Sequence, residues 1–129
     1  MNVLLDTHAL IWFITDDRKL THYAKQIIQD PINTCFVSVA SLWEIGIKTS
    51  LGRLELKSDL KKIFGLIEQS GLLLLPITPN HILTNAELDF HHRDPFDRLI
   101  IAQGKCEELT IISKDKVFEK YHIDLVWNE

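Results

Sequence analysis

Four short apolar runs are separated by stretches in which apolar residues recur at helical spacing, and this alternation constrains the chain more than any other feature. The runs are Val3-Leu4-Leu5, Cys35-Phe36-Val37-Ser38-Val39, Leu72–Leu75 and Thr110-Ile111-Ile112-Ser113. None alternates apolar with polar along its length, so each reads as a strand buried on both faces. Between them, Ala9, Leu10, Trp12 and Phe13 open one helix, and Thr21 caps a second that carries Tyr23, Ala24, Ile27 and Ile28 up to Pro31. Leu42, Trp43, Ile45 and Ile47 mark a third helix, ended by Gly52. Ser58 is placed to cap a fourth that runs through Gln69. Pro79 opens a short helix and Pro95 a strongly apolar one with Phe96, Leu99, Ile100, Ile101 and Ala102; Leu125-Val126-Trp127 forms a fifth strand. Strands alternating with helices predict an α/β fold, a parallel sheet covered on both faces.

The 129 residues fit one domain, 1–129, long enough to bury about two-thirds of the surface its unfolded chain exposes. Two cysteines, Cys35 and Cys106, stand far apart and in no C-x-x-C pair. That excludes a disulfide scaffold and a cysteine-based zinc site and suits the cytoplasm. The N-terminus lacks the basic region and long apolar stretch of a signal peptide. No apolar stretch approaches the roughly 20 residues that span a bilayer, so a membrane location is set aside. The net charge of −4, from 18 acidic and 14 basic residues, argues against nucleic acid unless several carboxylates gather round cations.

In parallel α/β folds ligands bind outside the carboxyl ends of the strands, so the informative residues follow each strand. Asp6 ends the first strand, Glu44 lies in the first turns of the helix after the second, Asp94 and Asp97 flank Pro95-Phe96, and Asp115 stands two residues past Ser113. These carboxylates are expected at one edge of the sheet. Ionised acids leaving water together need compensation, and oxygen donors without cysteine point to Mg²⁺ or Mn²⁺. No G-x-x-x-x-G-K loop and no G-x-S-x-G elbow occurs. What remains is metal-assisted hydrolysis, with the cation activating water and neutralising charge on a phosphate.

Leu4-Leu5-Asp6-Thr7-His8, Ser38-Val39-Ala40-Ser41-Leu42-Trp43-Glu44-Ile45, Arg93-Asp94-Pro95-Phe96-Asp97-Arg98-Leu99-Ile100-Ile101-Ala102-Gln103 and Ile112-Ser113-Lys114-Asp115 together resemble the PIN-domain ribonucleases, and among them the VapC toxins of type II toxin–antitoxin modules. The resemblance covers essentially the whole chain, in order. It implies a three-layer α/β/α PIN domain with a central, mostly parallel sheet of four or five strands. By resemblance, Asp6, Glu44 and Asp97 match the core acids, Asp115 a more variable fourth, and Asp94 an acid that either ligates metal or braces its loop. Thr7 and Ser113 match hydroxyl positions that orient the site, with Ser113 standing where threonine is common. The resemblance further implies dependence on Mg²⁺ or Mn²⁺, endonucleolytic cleavage of RNA such as tRNA, a homodimer and neutralisation by a VapB-type antitoxin. A PIN-fold module that binds RNA or antitoxin without turnover is the alternative.

Arg98 has two readings, a contact to RNA phosphate or antitoxin carboxylate and a salt bridge that holds Asp94 or Asp97. Lys48 and Lys114 fall closest to the acidic edge and are the candidate phosphate contacts. His8, His91 and His92 are expected to be loop or packing residues, because adjacent side chains such as His91 and His92 point apart and chelate poorly. Trp12 and Trp43 are expected in the core or at a partner contact. A haloacid-dehalogenase-like phosphatase would need an aspartate where His8 stands, and a receiver domain an acidic pair at the first strand end.

Overall fold

The computed structural model describes residues 1–128. In chain order the elements are β1 (Asn2–Leu5), α1 (Thr7–Ile14), α2 (His22–Gln29), β2 (Thr34–Ser38), α3 (Val39–Ser50), α4 (Leu60–Gln69), β3 (Leu73–Leu75), α5 (Pro79–Glu87), α6 (Pro95–Glu107), β4 (Thr110–Ile112), a 3-10 turn (Lys116–Tyr121) and β5 (Leu125–Val126). The strands form one sheet in the order β3-β2-β1-β4-β5, with every pairing parallel. The α/β architecture and the parallel sheet are as the sequence predicts.

β1 occupies the centre, where an apolar run buried on both faces belongs. Val3 and Leu5 point into a core shared with Leu10 of α1, Ile27 and Ile28 of α2, Ile45 of α3 and Ile63 and Ile67 of α4. Leu4, one residue out of phase, points into the opposite core with Ile100 and Ile101 of α6 and Phe118 of the 3-10 turn. β4 divides in the same way, Ile112 entering the first core and Ile111 the second. The two-residue period of β1 and β4 therefore builds the three layers.

The chain leaves β1 toward β2 on one side, while β4 lies against its other side. This reversal opens a crevice at the carboxyl end of β1, beside Asp6.

Two local expectations are corrected. The Leu72–Leu75 run is not a buried strand: β3 is an edge strand paired only with β2, and Leu73 and Leu74 are each half exposed. An apolar run reads the same whether a sheet neighbour covers it or not. The cap of α4 is Asp59 and not Ser58; its carboxylate accepts the Lys62 N–H at 2.8 Å.

Candidate active site

Asp6 continues β1 by one residue, its N–H donating to the Ile112 carbonyl of β4 at 3.0 Å. The chain then turns into α1, and Oδ1 of Asp6 accepts the Ala9 N–H at 2.8 Å as the helix cap. Asp6 is 3% exposed. Burial raises its pKa above the ordinary aspartate value, an effect opposed by the neighbouring Ser113 hydroxyl and the Ala9 N–H.

Thr7 donates its hydroxyl to Ser41 Oγ at 2.9 Å, a buried bond that ties the start of α1 to the start of α3. Ser41 lies three residues before Glu44 on the same face of α3, so this bond sets the spacing between Asp6 and Glu44. Sequence reasoning passed over Ser41, because a helical serine carries no sign of its partner. Glu44 is buried. Its Oε2 receives the Lys48 ammonium one turn along, which raises the Lys48 pKa, while its Oε1 has no hydrogen-bond partner among the described residues.

Asp94 caps α6: its Oδ1 accepts the N–H groups of Phe96 at 2.8 Å and Asp97 at 3.2 Å. Of its two expected roles, the bracing one is the contact seen. Asp97 occupies the first turn of α6. Burial, followed by the charges of Asp94, Asp6, Glu44 and Asp115, pushes its pKa up to about 8. Asp97 thus feels the charge of every other acid of the set.

Asp115 follows β4 and caps the 3-10 turn, its Oδ1 accepting the Val117 N–H at 2.9 Å. The Oγ of Ser113 accepts the Asp115 N–H at 3.0 Å, so one hydroxyl lies between two of the acids. His92 joins this group, its Nε2 lying 2.8 Å from Oδ2 of Asp115 and 3.1 Å from Oδ2 of Asp97. Ligand atoms of His92, Asp97 and Asp115 all lie within 4.8 Å of one another. His91 faces away, stacking edge-on against Tyr121 at 5.1 Å, and so fits the loop role expected of the pair. His92 does not.

Arg98 corrects the salt-bridge reading. Its buried guanidinium donates to the carbonyls of Asn85, Leu88, Asp89 and His92 and to Tyr121 Oη. It forms no ion pair among the described residues and holds the α5–α6 loop, not a carboxylate.

Two cavities are lined by residues that the sequence singles out. One of about 340 Å³ is lined by Thr7, His8, Trp12, Glu44, Lys48 and Arg53, and another of about 450 Å³ by Ser113, Lys114, Lys116 and Trp127. Trp12 packs between His8, with ring centres 5.6 Å apart, and Trp127, at 5.8 Å. Trp43 is 62% exposed and meets Phe96 edge-on, so it is not a core residue.

Among curated proteins none matches the sequence. The solved structures give full-length likenesses. VapBC2 from Rickettsia felis, bound to a DNA fragment from its promoter, aligns at TM-score 0.74 and 17% identity, covering 99% of this chain and 100% of that one. DNA-bound VapBC from Salmonella typhimurium aligns at 0.70 and 17%, covering 98% and 97%. VapBC-1 from nontypeable Haemophilus influenzae aligns at 0.69 and 17%, covering 100% and 98%. At such identities these likenesses show the fold. The PIN domain family model matches residues 3–123, nearly the whole chain, and the protein belongs to the PIN domain family.

Proposed function

We propose that this PIN domain is the toxin of a type II toxin–antitoxin pair of the VapC kind, an endoribonuclease dependent on Mg²⁺ or Mn²⁺ and acting in the cytoplasm. One observation carries the reading. Asp6, Glu44, Asp97 and Asp115 stand at the carboxyl edge of the sheet, and burial together with the charges of Asp94, Asp6, Glu44 and Asp115 pushes the Asp97 pKa up to about 8.

The residues fit a hard divalent cation. The donors are carboxylate oxygens with no cysteine among them, and Glu44 Oε1 is a buried acceptor without a donor. Asp6, Glu44, Asp97 and Asp115 would hold the ion, with Asp94 supporting them from the helix cap. Bound there, Mg²⁺ or Mn²⁺ supplies a Lewis acid that activates water and neutralises charge on a phosphodiester.

The chain's own residues do the rest. Thr7 and Ser41 lock α1 to α3, fixing Asp6 relative to Glu44. Ser113 does the same for Asp6 and Asp115. Two cavities carry cations, Lys48 and Arg53 in one and Lys114 and Lys116 in the other, which suit contacts to a phosphate backbone. PIN domains are generally nucleases. The toxin reading, with a VapB-type antitoxin and a homodimer as partners, is supported by the resemblance of the motifs and by the VapBC complexes that share the fold.

The test is RNA cleavage by purified, antitoxin-free protein with Mn²⁺, with Mg²⁺ and with EDTA, beside Asp6→Asn. Cleavage that needs the ion and disappears in the variant is expected. A folded, Mn²⁺-binding protein that cuts neither total RNA nor a tRNA pool would favour a module that binds without turnover.

A further inference from the structure

We propose that His92 is a positioning residue, donating from Nε2 to Asp115 and Asp97 and so presenting both carboxylates to the cation without itself ligating it. The inference rests on the reading of these acids as cation ligands.

The argument begins with the two ring nitrogens. Nδ1 lies 3.1 Å from the Asp94 N–H and accepts it, so its lone pair is engaged and the ring proton resides on Nε2. A protonated Nε2 has no lone pair for a metal. It can only donate, and its two neighbours are both carboxylate oxygens, Oδ2 of Asp115 at 2.8 Å and Oδ2 of Asp97 at 3.1 Å. The proximity of His92, Asp97 and Asp115 therefore resembles a three-residue ligand set, while its hydrogen bonding describes two ligands and a donor that orients them.

Asp115 needs that donor more than the other acids do. Its side chain is 37% exposed, whereas Asp6 and Glu44 are each 3% exposed and fixed by packing. One of its oxygens, Oδ1, is committed to the Val117 N–H. The other, Oδ2, takes the His92 bond and keeps a second lone pair for a cation. Without His92 this carboxylate is free to rotate toward solvent.

His92 is itself held on several sides. Its backbone N–H donates to Tyr121 Oη at 2.8 Å, its carbonyl accepts from Arg98 at 3.4 Å, and Phe118 packs edge-on against its ring at 5.7 Å. A donor this well anchored can impose an orientation on a loop carboxylate. Outer-sphere partners of metal ligands typically change metal affinity 10–100-fold when removed.

Mn²⁺ titration of the full chain by calorimetry tests the assignment. His92→Ala is expected to weaken Mn²⁺ binding about tenfold or more. His92→Gln, whose amide nitrogen reaches about as far as Nε2, should recover most of the loss. In an Asp115→Asn background, His92→Ala should change affinity several-fold less than in the parent, the remaining loss passing through Asp97. An equal loss in both backgrounds would overturn the proposal and make His92 a ligand or a support of the fold. ¹⁵N-detected NMR of the metal-free, unsubstituted protein reads the tautomer directly, needs no alanine variant to fold, and overturns the proposal if the proton is on Nδ1. An unsubstituted chain that keeps the Nε2 proton yet binds no Mn²⁺ would instead refute the metal reading of the site.

Discussion

Asp94 Oδ1 accepts the backbone N–H of Asp97 at 3.2 Å, so the acid three residues before a strongly perturbed carboxylate of the site acts through the helix that carries it. Asp94→Asn keeps an acceptor at the cap and removes a charge that raises the Asp97 pKa. The variant should hold its thermal stability, titrate Asp97 at lower pH, and retain cleavage within about tenfold. Asp94→Ala should lose about 1 kcal/mol through the missing cap. Thermal unfolding of both variants, with the Asp97 titration followed by NMR, checks this. Complete loss of Mn²⁺ binding in Asp94→Asn would make Asp94 a ligand.

The raised pKa of Asp97 has a consequence for stability. Between its ordinary value of 3.8 and about 8, the folded protein holds a proton that the unfolded chain has released. That contribution is fully present below 3.8 and is lost as pH rises through about 8. Metal-free protein should therefore weaken across this window, by on the order of 2–5 kcal/mol. Urea unfolding in EDTA at pH 5, 7 and 9 measures the decline. Asp97→Asn should make it shallower, leaving the part that the raised pKa of Asp6 contributes, and be the more stable protein at pH 9, while lacking cleavage. Mn²⁺ should restore the unsubstituted protein and bind more tightly as pH rises toward 8, because it displaces that proton. A metal-free protein whose stability falls no faster than that of Asp97→Asn would refute the argument.

How much of this was legible in the sequence follows from which contacts are local. Asp6 and Glu44 were readable because each is set by its distance from a strand end, and the strands were continuous apolar runs. The cap role of Asp94 lies within three residues and was among the readings open. The contact of His92 with Asp115 was hidden because the two lie 23 residues apart, brought near by the return of the chain through β4. Arg98 was misread for the same reason: sequence offers acids as its partners, and the carbonyls it meets become available only once the α5–α6 loop folds back over α6. Leu73 and Leu74 show the limit of hydrophobic patterning, which identifies a strand but not whether it lies at the edge.

Lys48 places its ammonium on Glu44 Oε2 and leaves Oε1 unpartnered. Lys48→Met should destabilise metal-free protein by about 1–3 kcal/mol, since a buried carboxylate loses its donor. The same change removes a positive charge beside the cation's expected place, so Mn²⁺ should bind several-fold more tightly and stabilise the variant more than the parent. RNA should bind less well, raising KM more than it lowers kcat. Thermal unfolding with and without Mn²⁺, alongside cleavage kinetics, separates these effects. Unchanged KM would remove Lys48 from the phosphate path.

Arg98 offers the sharpest contrast between a fold residue and a site residue. Its guanidinium donates to four carbonyls and to Tyr121 Oη, and the exposed Phe90 ring covers its outer face at 4.1 Å. Removing it leaves several acceptors without donors in one step. Arg98→Ala should cost about 2–4 kcal/mol, and Arg98→Lys nearly as much, because an ammonium cannot reproduce the planar fork. Loosening of the loop should carry His92 with it, since the His92 carbonyl is one of the acceptors and Tyr121 Oη holds the His92 N–H. Urea unfolding and Mn²⁺ titration together check this: stability and metal affinity should fall in parallel. A stable Arg98→Lys protein with normal Mn²⁺ affinity and abolished cleavage would place the guanidinium on the RNA after all.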